Sequence, residues 1–176
     1  EKPLYSFPRH YETGEPLPAE FFQRLKAAKT FRSGSMMMRQ VHFSVVDLDL
    51  HARFTPGQGE SIFERDLKIA KATLVMAPNP EDRFLCCFSH IFAGGYSAGY
   101  FSYKWAEVLS ADAFGAFEEV GLDQEEAVQQ TGRRFRDTVL ALGGSVAPLE
   151  VFKRFRSREP STGPLLKHND LLPQTA

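Results

Sequence analysis

The sequence predicts an all-α fold, and three observations support that prediction. Apolar residues recur at steps of three and four along most of the 176 residues, which is the spacing of one helical face. The alternation of apolar and polar residues that is typical of a half-buried strand is never sustained. Glycine and proline clusters separate the helical stretches from one another. The length fits one domain with a substantial core.

The first two predicted helices lie in the N-terminal third of the chain. A turn at residues 15–18, Glu-Pro-Leu-Pro, leads into the first helix. The residues spaced for one face of that helix are Phe21, Phe22, Leu25 and Ala28. A long buried helix then begins at Met36, after the small residues at 33–35. Its expected apolar face is formed by Met37, Met38, Val41, Val45 and Leu48, with His51 or Ala52 at its end.

The next two predicted helices lie on either side of a glycine pair. The segment TPGQGE (55–60) ends the long helix, and a third helix follows up to the turn at residues 78–80. Its apolar residues are Ile62, Phe63, Ile69, Ala70 and Leu74. Gly94 and Gly95 then precede a strongly helical segment that runs from about Tyr96 to Val120.

Two further helices are predicted toward the C-terminus. One runs from Gln124 to Leu142 and ends at residues 143–144, a glycine pair in the position that C-capping glycines occupy. Pro148 begins a short amphipathic helix whose apolar residues are Leu149, Phe152 and Phe155. The tail at residues 173–176 is expected to fray.

Composition and charge argue against several classes of protein. The net charge of −1 gives no sign of a nucleic-acid-binding surface or of attraction to an anionic membrane. No apolar run approaches the roughly 18 residues that a membrane span needs. The only cysteines, Cys86 and Cys87, are adjacent and cannot join distant segments, so we expect reduced, buried thiols and a cytoplasmic protein.

The charged clusters are expected to be structural. Asp123, Glu125 and Glu126 lie where a helix N-terminus favours negative charge. The basic segment FKRFRSRE (152–159) is short, and we interpret it as a solvated helix face.

The stretch FSHIFAGGYSAGYFSYKW (88–105) is the strongest candidate for a site. If a helix begins at Tyr96, then Tyr96, Tyr100 and Tyr103 fall at positions i, i+4 and i+7 and share one face. Buried phenol hydroxyls need partners, so such a stripe indicates a wet or substrate-facing wall. The alternative is that the three rings close the edge of the core and leave their hydroxyls in water.

The residues before the tyrosines leave a structural and a functional interpretation open. Gly94 and Gly95 permit a positive φ and the close approach of another backbone, and exposed amides at such a turn can pair with a peptide carbonyl. An ordinary loop is the alternative. His90 is either a ligand-binding histidine or a hydrogen-bonded residue of the core.

No complete catalytic set is present in the sequence. The five histidines include no H-E-x-x-H pair, so no metal site is predicted in this chain. Asp47, Asp49 and His51 are spaced at i, i+2 and i+4, which indicates a polar stripe or an internal hydrogen bond on the long helix rather than a metal site. Ser97 lacks the G-x-S-x-G context of a serine nucleophile.

Four segments give the chain a family resemblance. They resemble, in order and with similar spacing, the C-terminal part of the thimet oligopeptidase/oligopeptidase A family of zinc metallopeptidases, the oligopeptidase A branch above all. The segments are HYETGEPLP (10–18), MRQVHFSVVDLDLH (38–51), FSHIFAGGYSAGYFSYKWAEVLSADAF (88–114) and GGSVAPLEVFKRFRSREP (143–160).

The resemblance implies an all-helical, two-lobed peptidase whose channel admits short peptides. In this family zinc is held by H-E-x-x-H and a later glutamate, so the ligands are expected in a part that precedes Glu1. The resemblance implies that His90 binds the substrate backbone near the scissile bond. It implies that Tyr103 donates to the tetrahedral oxyanion, supplementing the zinc. The other substrate-binding residues that it implies are Gly94, Gly95, Tyr96 and Tyr100.

Three residues depart from the pattern of the family. Phe101 stands where tyrosine is usual, and we expect it to pack because it lies off the Tyr96/Tyr100 face. Leu142 stands where arginine is common, and Ser157 where glycine is common.

Two functions from different classes follow from these observations. The first is a part of a zinc-dependent oligopeptidase, in which residues 1–176 form the C-terminal part of the catalytic domain. Its partners would be short peptide substrates and the N-terminal part of the same protein, and this chain alone would be inactive. The alternative is a non-catalytic helical module that binds peptides or partners through the tyrosine face.

Overall fold

A computed structural model describes residues 8–173, and within these residues helices and turns form the whole fold without a strand. The all-α prediction is therefore confirmed. Two units are distinguished, Glu1–Ser33 and Gly34–Ala176, and the candidate site lies in the second. The helices are α1 (Ala19–Thr30), α2 (Ser33–Ala52), α3 (Ile62–Thr73), α4 (Ser102–Glu119), α5 (Glu125–Phe135), α6 (Pro148–Arg156) and α7 (Gly163–His168).

Helix α1 forms where the sequence predicted it. Pro18 caps its N-terminus in an extended conformation, because the proline ring fixes φ and prevents the preceding chain from being helical. Phe22 is buried, whereas Phe21 and Leu25 are 53% and 58% exposed.

Helix α2 buries a different face from the one predicted. Val45 and Leu48 are exposed, and most of the buried side chains lie on nearly the opposite side of the helix. Two of them are polar: His42, which lies 3.0 Å from both Thr73 Oγ1 and Asp66 Oδ1, and Asp47. Because the chain supplies partners for these polar groups, they can be buried at little cost. The buried residues of α2 are His42, Phe43, Ser44, Val46 and Asp47.

The N-terminus of α3 carries a capping signal that the periodicity did not reveal. Glu64 N–H donates to Ser61 Oγ, and Ser61 N–H donates to Glu64 Oε2 at 2.7 Å. These bonds from Ser61 lower the pKa of the Glu64 carboxyl. The S-x-x-E spacing of residues 61–64 is the capping box.

Helix α4 begins at Ser102, so the prediction of a helix from Tyr96 is wrong. Residues 97–101 form turns, in which Ala98 adopts a left-handed φ of 54°. The amides of Ala98 and Tyr100 donate to the carboxylate of Asp47 in α2 instead of to helical carbonyls. Hydrogen bonds to a side chain distant in sequence thus replace the backbone bonds that would have extended the helix to Tyr96.

The predicted C-terminal helices are confirmed with two additions. Helix α5 continues into a π-helical segment, Arg136–Leu140, and Gly143 ends this region with a positive φ of 50°. Pro148 occupies the first turn of α6, which ends at Ser157 in the left-handed conformation. Helix α7, with Pro164 in its first turn, was not predicted.

The basic segment at 152–159 is not a solvated helix face. The Arg156 side chain is only 5% exposed and binds both Asp112 and Glu119, while Arg158 binds Asp112 as well. Phe152 is buried on the same segment. The arginines are drawn inward because Asp112 is fully buried and needs positive partners.

The cysteines, the length of the helices and the C-terminal tail were also subjects of the sequence predictions. Cys86 and Cys87 are free but exposed, which corrects the prediction of buried thiols, since the short 3-10 turn Phe84–Cys86 directs Leu85 inward instead. No helix among residues 8–173 is long and apolar enough to cross a membrane. The predicted frayed tail at 173–176 lies outside the described residues except for Pro173.

Candidate functional site

The candidate site is built on residues 89–101, which we name the tyrosine loop. It begins with a 3-10 turn, Ser89–Ile91, and folds back on itself because Gly94 N–H donates to Ser89 O at 2.7 Å and Tyr96 N–H donates to His90 O at 3.0 Å. Ser97 Oγ donates to Ile91 O at 2.7 Å and closes the loop further. The hydroxyl of Ser97 is thus a structural donor.

The glycine pair is required by the loop at both positions. A Cβ on Gly94 would lie 2.7 Å from His90 Cα, which is closer than real Cβ contacts. Gly95 adopts a φ of 83°, a conformation that side-chain-bearing residues rarely adopt. The expectation of close backbone approach and a positive φ is confirmed, one property at each glycine.

The three tyrosines come together, but not for the predicted reason. Tyr96 and Tyr100 precede α4 and only Tyr103 lies in it, so the helical stripe does not exist. The folded loop brings the rings together instead: the Tyr103 ring centroid lies 4.8 Å from that of Tyr96 and 5.2 Å from that of Tyr100.

Tyr100 differs from the other two tyrosines because it belongs to the core. Its ring packs edge-on against Phe88 and Phe43, and its hydroxyl donates to Gln40 Oε1 at 3.0 Å. Burial raises the pKa of Tyr100, and the nearby charge of Arg39 offsets part of that rise. Because its hydroxyl is bonded to Gln40, Tyr100 does not offer a free hydroxyl to the site.

Tyr96 and Tyr103 are the tyrosines that face solvent, with 36% and 39% of their surfaces exposed. The pKa of Tyr103 is raised, first by a side-chain hydrogen bond with Tyr96, then by burial and by the neighbouring phenols. A raised pKa keeps the phenol protonated at neutral pH. Tyr103 can therefore act as a hydrogen-bond donor.

His90 is exposed and lies beside the tyrosines, which contradicts the alternative of a hydrogen-bonded core histidine. Its ring centroid is 6.2 Å from that of Tyr96 and 6.5 Å from that of Tyr103. Within residues 8–173, neither ring nitrogen of His90 has a hydrogen-bond partner. An imidazole and two phenol hydroxyls thus converge on one exposed surface.

Phe101, the departure from the usual tyrosine, is 48% exposed. The expected packing role is therefore not observed in the described part of the chain. The phenyl ring lies at the surface beside the start of α4.

Asp47 is the residue of the site that sequence reasoning missed. Its fully buried carboxylate accepts the amides of Ala98 and Tyr100, both at 2.9 Å, and Oδ1 lies 2.9 Å from His51 Nδ1. The spacing of Asp47 and His51 was interpreted as a polar stripe or an internal hydrogen bond, and the structure has the hydrogen-bonded pair. The sequence carried no clear signal for this role, because Asp47 and Asp49 stand two residues apart on the same helix.

The described residues do not fit a zinc ion. Among residues 8–173, no three or more His, Cys, Asp or Glu side chains are grouped so that they could hold a metal. His90, Tyr96 and Tyr103 instead supply hydrogen-bond donors and acceptors on one surface.

Comparison with known proteins gives the family. The sequence profile of Peptidase family M3 matches residues 1–171. The organellar oligopeptidase A (chloroplastic/mitochondrial) of Arabidopsis thaliana is 61% identical over 173 residues, which are 98% of this chain and 22% of that relative. The probable cytosolic oligopeptidase A of Arabidopsis thaliana is 60% identical over 173 residues, which are 98% of this chain and 25% of that relative.

A bacterial relative agrees with the plant ones. Oligopeptidase A of Escherichia coli (strain K12) is 48% identical over 159 residues, which are 90% of this chain and 23% of that relative. The chain spans about a quarter of the length of these curated relatives. The profile match and these identities confirm the resemblance, and the chain belongs to peptidase family M3.

Proposed function

We propose that this chain is part of a peptidase that hydrolyses short peptides, and that the tyrosine loop forms the wall that binds the substrate and stabilises the oxyanion. The convergence of His90, Tyr96 and Tyr103 on one exposed surface carries the proposal. Family membership supports the reaction class, since relatives of this chain are named oligopeptidases.

In this proposal Tyr103 donates its hydroxyl hydrogen to the oxyanion that forms when the scissile carbonyl becomes tetrahedral. Its raised pKa, caused first by the hydrogen bond with Tyr96, is consistent with a protonated phenol that would exchange Tyr96 for the oxyanion as its partner when substrate binds. A donor fixed before the reaction stabilises developing charge without reorganisation. His90, with both ring nitrogens open to a ligand, binds the carbonyl oxygen or the backbone beside it.

Gly94 and Gly95 have different roles in the proposed complex. Gly94 N–H is already bonded to Ser89 O, so it keeps the loop in shape. No described residue accepts the Gly95 N–H, which leaves that amide to pair with a peptide carbonyl. Tyr100 supports the site from behind through its ring and through Gln40.

Zinc dependence is part of the proposal for the complete protein only. The metal would polarise the carbonyl and supply the attacking water. Since the described residues hold no group of metal ligands, we expect the ligands outside this chain, and the roles given above to His90 and Tyr103 are those of hydrogen-bond donors. Residues 1–176 are accordingly proposed as the C-terminal part of the catalytic domain.

The names of the two plant relatives point to different compartments, so a cytoplasmic location stays a prediction.

The experiment is the substitution Tyr103→Phe in the complete protein. Loss of one oxyanion donor typically lowers kcat by about 10²- to 10³-fold, and we expect KM to change little. Tyr11→Phe, at a tyrosine that is 88% exposed and lies in the first unit, is the matched control and should leave both constants unchanged.

Unchanged kcat in Tyr103→Phe would contradict the proposed role of the hydroxyl. Peptide binding without any hydrolysis by the complete, zinc-supplemented protein would favour the alternative of a non-catalytic peptide-binding module. Steady-state kinetics with a set of short peptides decides between the two.

A further inference from the structure

We infer that Asp47 is a positioning residue: its buried carboxylate holds the tyrosine loop in the one conformation that presents Tyr96 and Tyr103 together. This inference rests on the proposed function for its catalytic consequence. The structural part, that one carboxylate in α2 fixes a loop about 50 residues away, stands on contacts alone.

The contacts of Asp47 divide between its two oxygens. Oδ1 accepts the Ala98 amide and Oδ2 accepts the Tyr100 amide, each at 2.9 Å. Neither amide has another acceptor within residues 8–173. Because Asp47 and Tyr100 are both buried, removal of the carboxylate would leave the Tyr100 amide without a partner, whereas Ala98 lies in an exposed turn.

The backbone that Asp47 holds is one that the chain would not adopt unaided. Ala98 has a φ of 54°, and a residue with a Cβ adopts that left-handed conformation only when its surroundings impose it. Directly after it, Ser102 N–H bonds Gly99 O and Tyr103 N–H bonds Tyr100 O, which starts α4. Asp47 thus determines both where the helix begins and where Tyr103 points.

His51 completes the arrangement by orienting the carboxylate. Its Nδ1 lies 2.9 Å from Asp47 Oδ1 and 2.8 Å from the backbone oxygen of Asp47. The carboxylate therefore has a partner on each oxygen and cannot rotate without breaking a bond. Asp47 lies beneath the loop and would not touch a substrate, so its effect is exerted through Tyr96 and Tyr103.

The first test needs no substitution. In the complete protein, hydrogen–deuterium exchange is measured in peptides that cover Ala98 and Tyr100. These amides lie outside any helix, yet we expect them to exchange slowly, unlike the exposed turn at residues 55–60. Exchange as fast as in that turn would overturn the inference.

The second test removes the charge and one acceptor. In Asp47→Asn one of the two amides faces an NH2 group instead of an oxygen, so exchange at residues 96–101 should accelerate about 10- to 100-fold. Exchange in α6 should not change. Asp49→Asn is the matched control, because Asp49 lies on the same helix but binds Arg65 at 2.7 Å, and it should leave loop exchange unchanged. Unchanged loop exchange in Asp47→Asn would overturn the inference.

The third test asks whether Asp47 acts through Tyr103. Asp47→Asn alone should lower kcat about 10-fold or more. In a Tyr103→Phe background the same substitution should lower kcat much less than it does alone, because one of the two tyrosines that it positions has already lost its hydroxyl. Additive losses in the double variant would show a general loss of structure and overturn the positioning role.

The outcomes separate the two proposals. If the complete protein fails to hydrolyse peptides, the proposed function is wrong, while the exchange experiments still decide whether Asp47 holds the loop. If hydrolysis depends on Tyr103 but the amide exchange rate of the tyrosine loop is the same in Asp47→Asn as in the unaltered protein, then only the inference about Asp47 is wrong.

Discussion

Asp47 and Asp112 are both fully buried, yet they are stabilised in different ways. Asp47 receives two backbone amides and His51, whereas Asp112 receives Arg156, Arg158 and the amide of Ser161. Burial raises the pKa of Asp112, but the bonds from Arg158 and Ser161 and the two arginine charges outweigh it and lower the pKa.

The difference shows that backbone amides and guanidinium groups have different structural effects when they bind a buried carboxylate. Amide partners shape backbone, so Asp47 organises an irregular loop that carries the candidate site. Guanidinium partners tie segments together by charge, so Asp112 fastens α4 to the end of α6 and the segment that follows. The three predictions below test this contrast.

The largest effect is expected from Asp112→Asn. Removing one member of a buried ionic network leaves uncompensated charge, which typically costs 3–5 kcal/mol. We expect about 3 kcal/mol, the lower end, because Arg156 keeps Glu119 and Arg158 is partly exposed. Amide exchange in peptides covering 148–161 should accelerate by about two orders of magnitude, while the tyrosine loop is unchanged. Asp137→Asn, at an exposed pair with Arg136, is the control and should have almost no effect.

An intermediate effect is expected from Gly94→Ala, which damages the loop without touching Asp47. The new Cβ would meet His90 Cα at 2.7 Å, and overpacking of this kind typically costs 1–3 kcal/mol. Exchange at residues 89–101 should accelerate and kcat should fall. Gly144→Ala has open space around the new Cβ and is the matched control. Equal behaviour of the two variants would show that the close approach at Gly94 is unimportant.

The smallest effect is expected from Ser157→Gly, which is stabilising. Ser157 ends α6 with a φ of 58°, and glycine adopts this conformation without the steric cost of a Cβ. We expect a gain of about 0.5–1 kcal/mol, seen as about 2- to 5-fold slower exchange in α6. Ala98→Gly is the counterpart in the loop, where φ is 54° and a gain of similar size is expected. A destabilising Ser157→Gly would contradict this account.

Much of the fold could be predicted because it depends on local patterns. The proline turns before α1 and α6, and the glycines after α5, gave helix boundaries that agree with the structure. Glycine, which the resemblance led us to expect at position 157, would suit the left-handed conformation that Ser157 adopts there. The face of α2 and the start of α4 could not be predicted, since both depend on partners distant in sequence.

The sequence indicated that the three tyrosines would come together, but it indicated neither the geometry that brings them together nor the part played by Asp47. A helical spacing suggested that the three tyrosines would meet, and a folded loop held by Asp47 brings them together instead. The two acids in α2 look alike in the sequence, and only their partners distinguish Asp47 from Asp49. Arg156 was misjudged for the same reason, because nothing near it in the sequence reveals Asp112.

The contact between Gly94 and His90 also has a genetic consequence. Every amino acid other than glycine carries a Cβ, so every missense change of that codon places an atom in the backbone of the preceding turn. Positions of the loop that already carry a side chain impose no such constraint, whereas at Gly94 every alternative residue meets the same contact. A library of variants of this loop would be depleted at Gly94 before selection acted on the chemistry of the tyrosines.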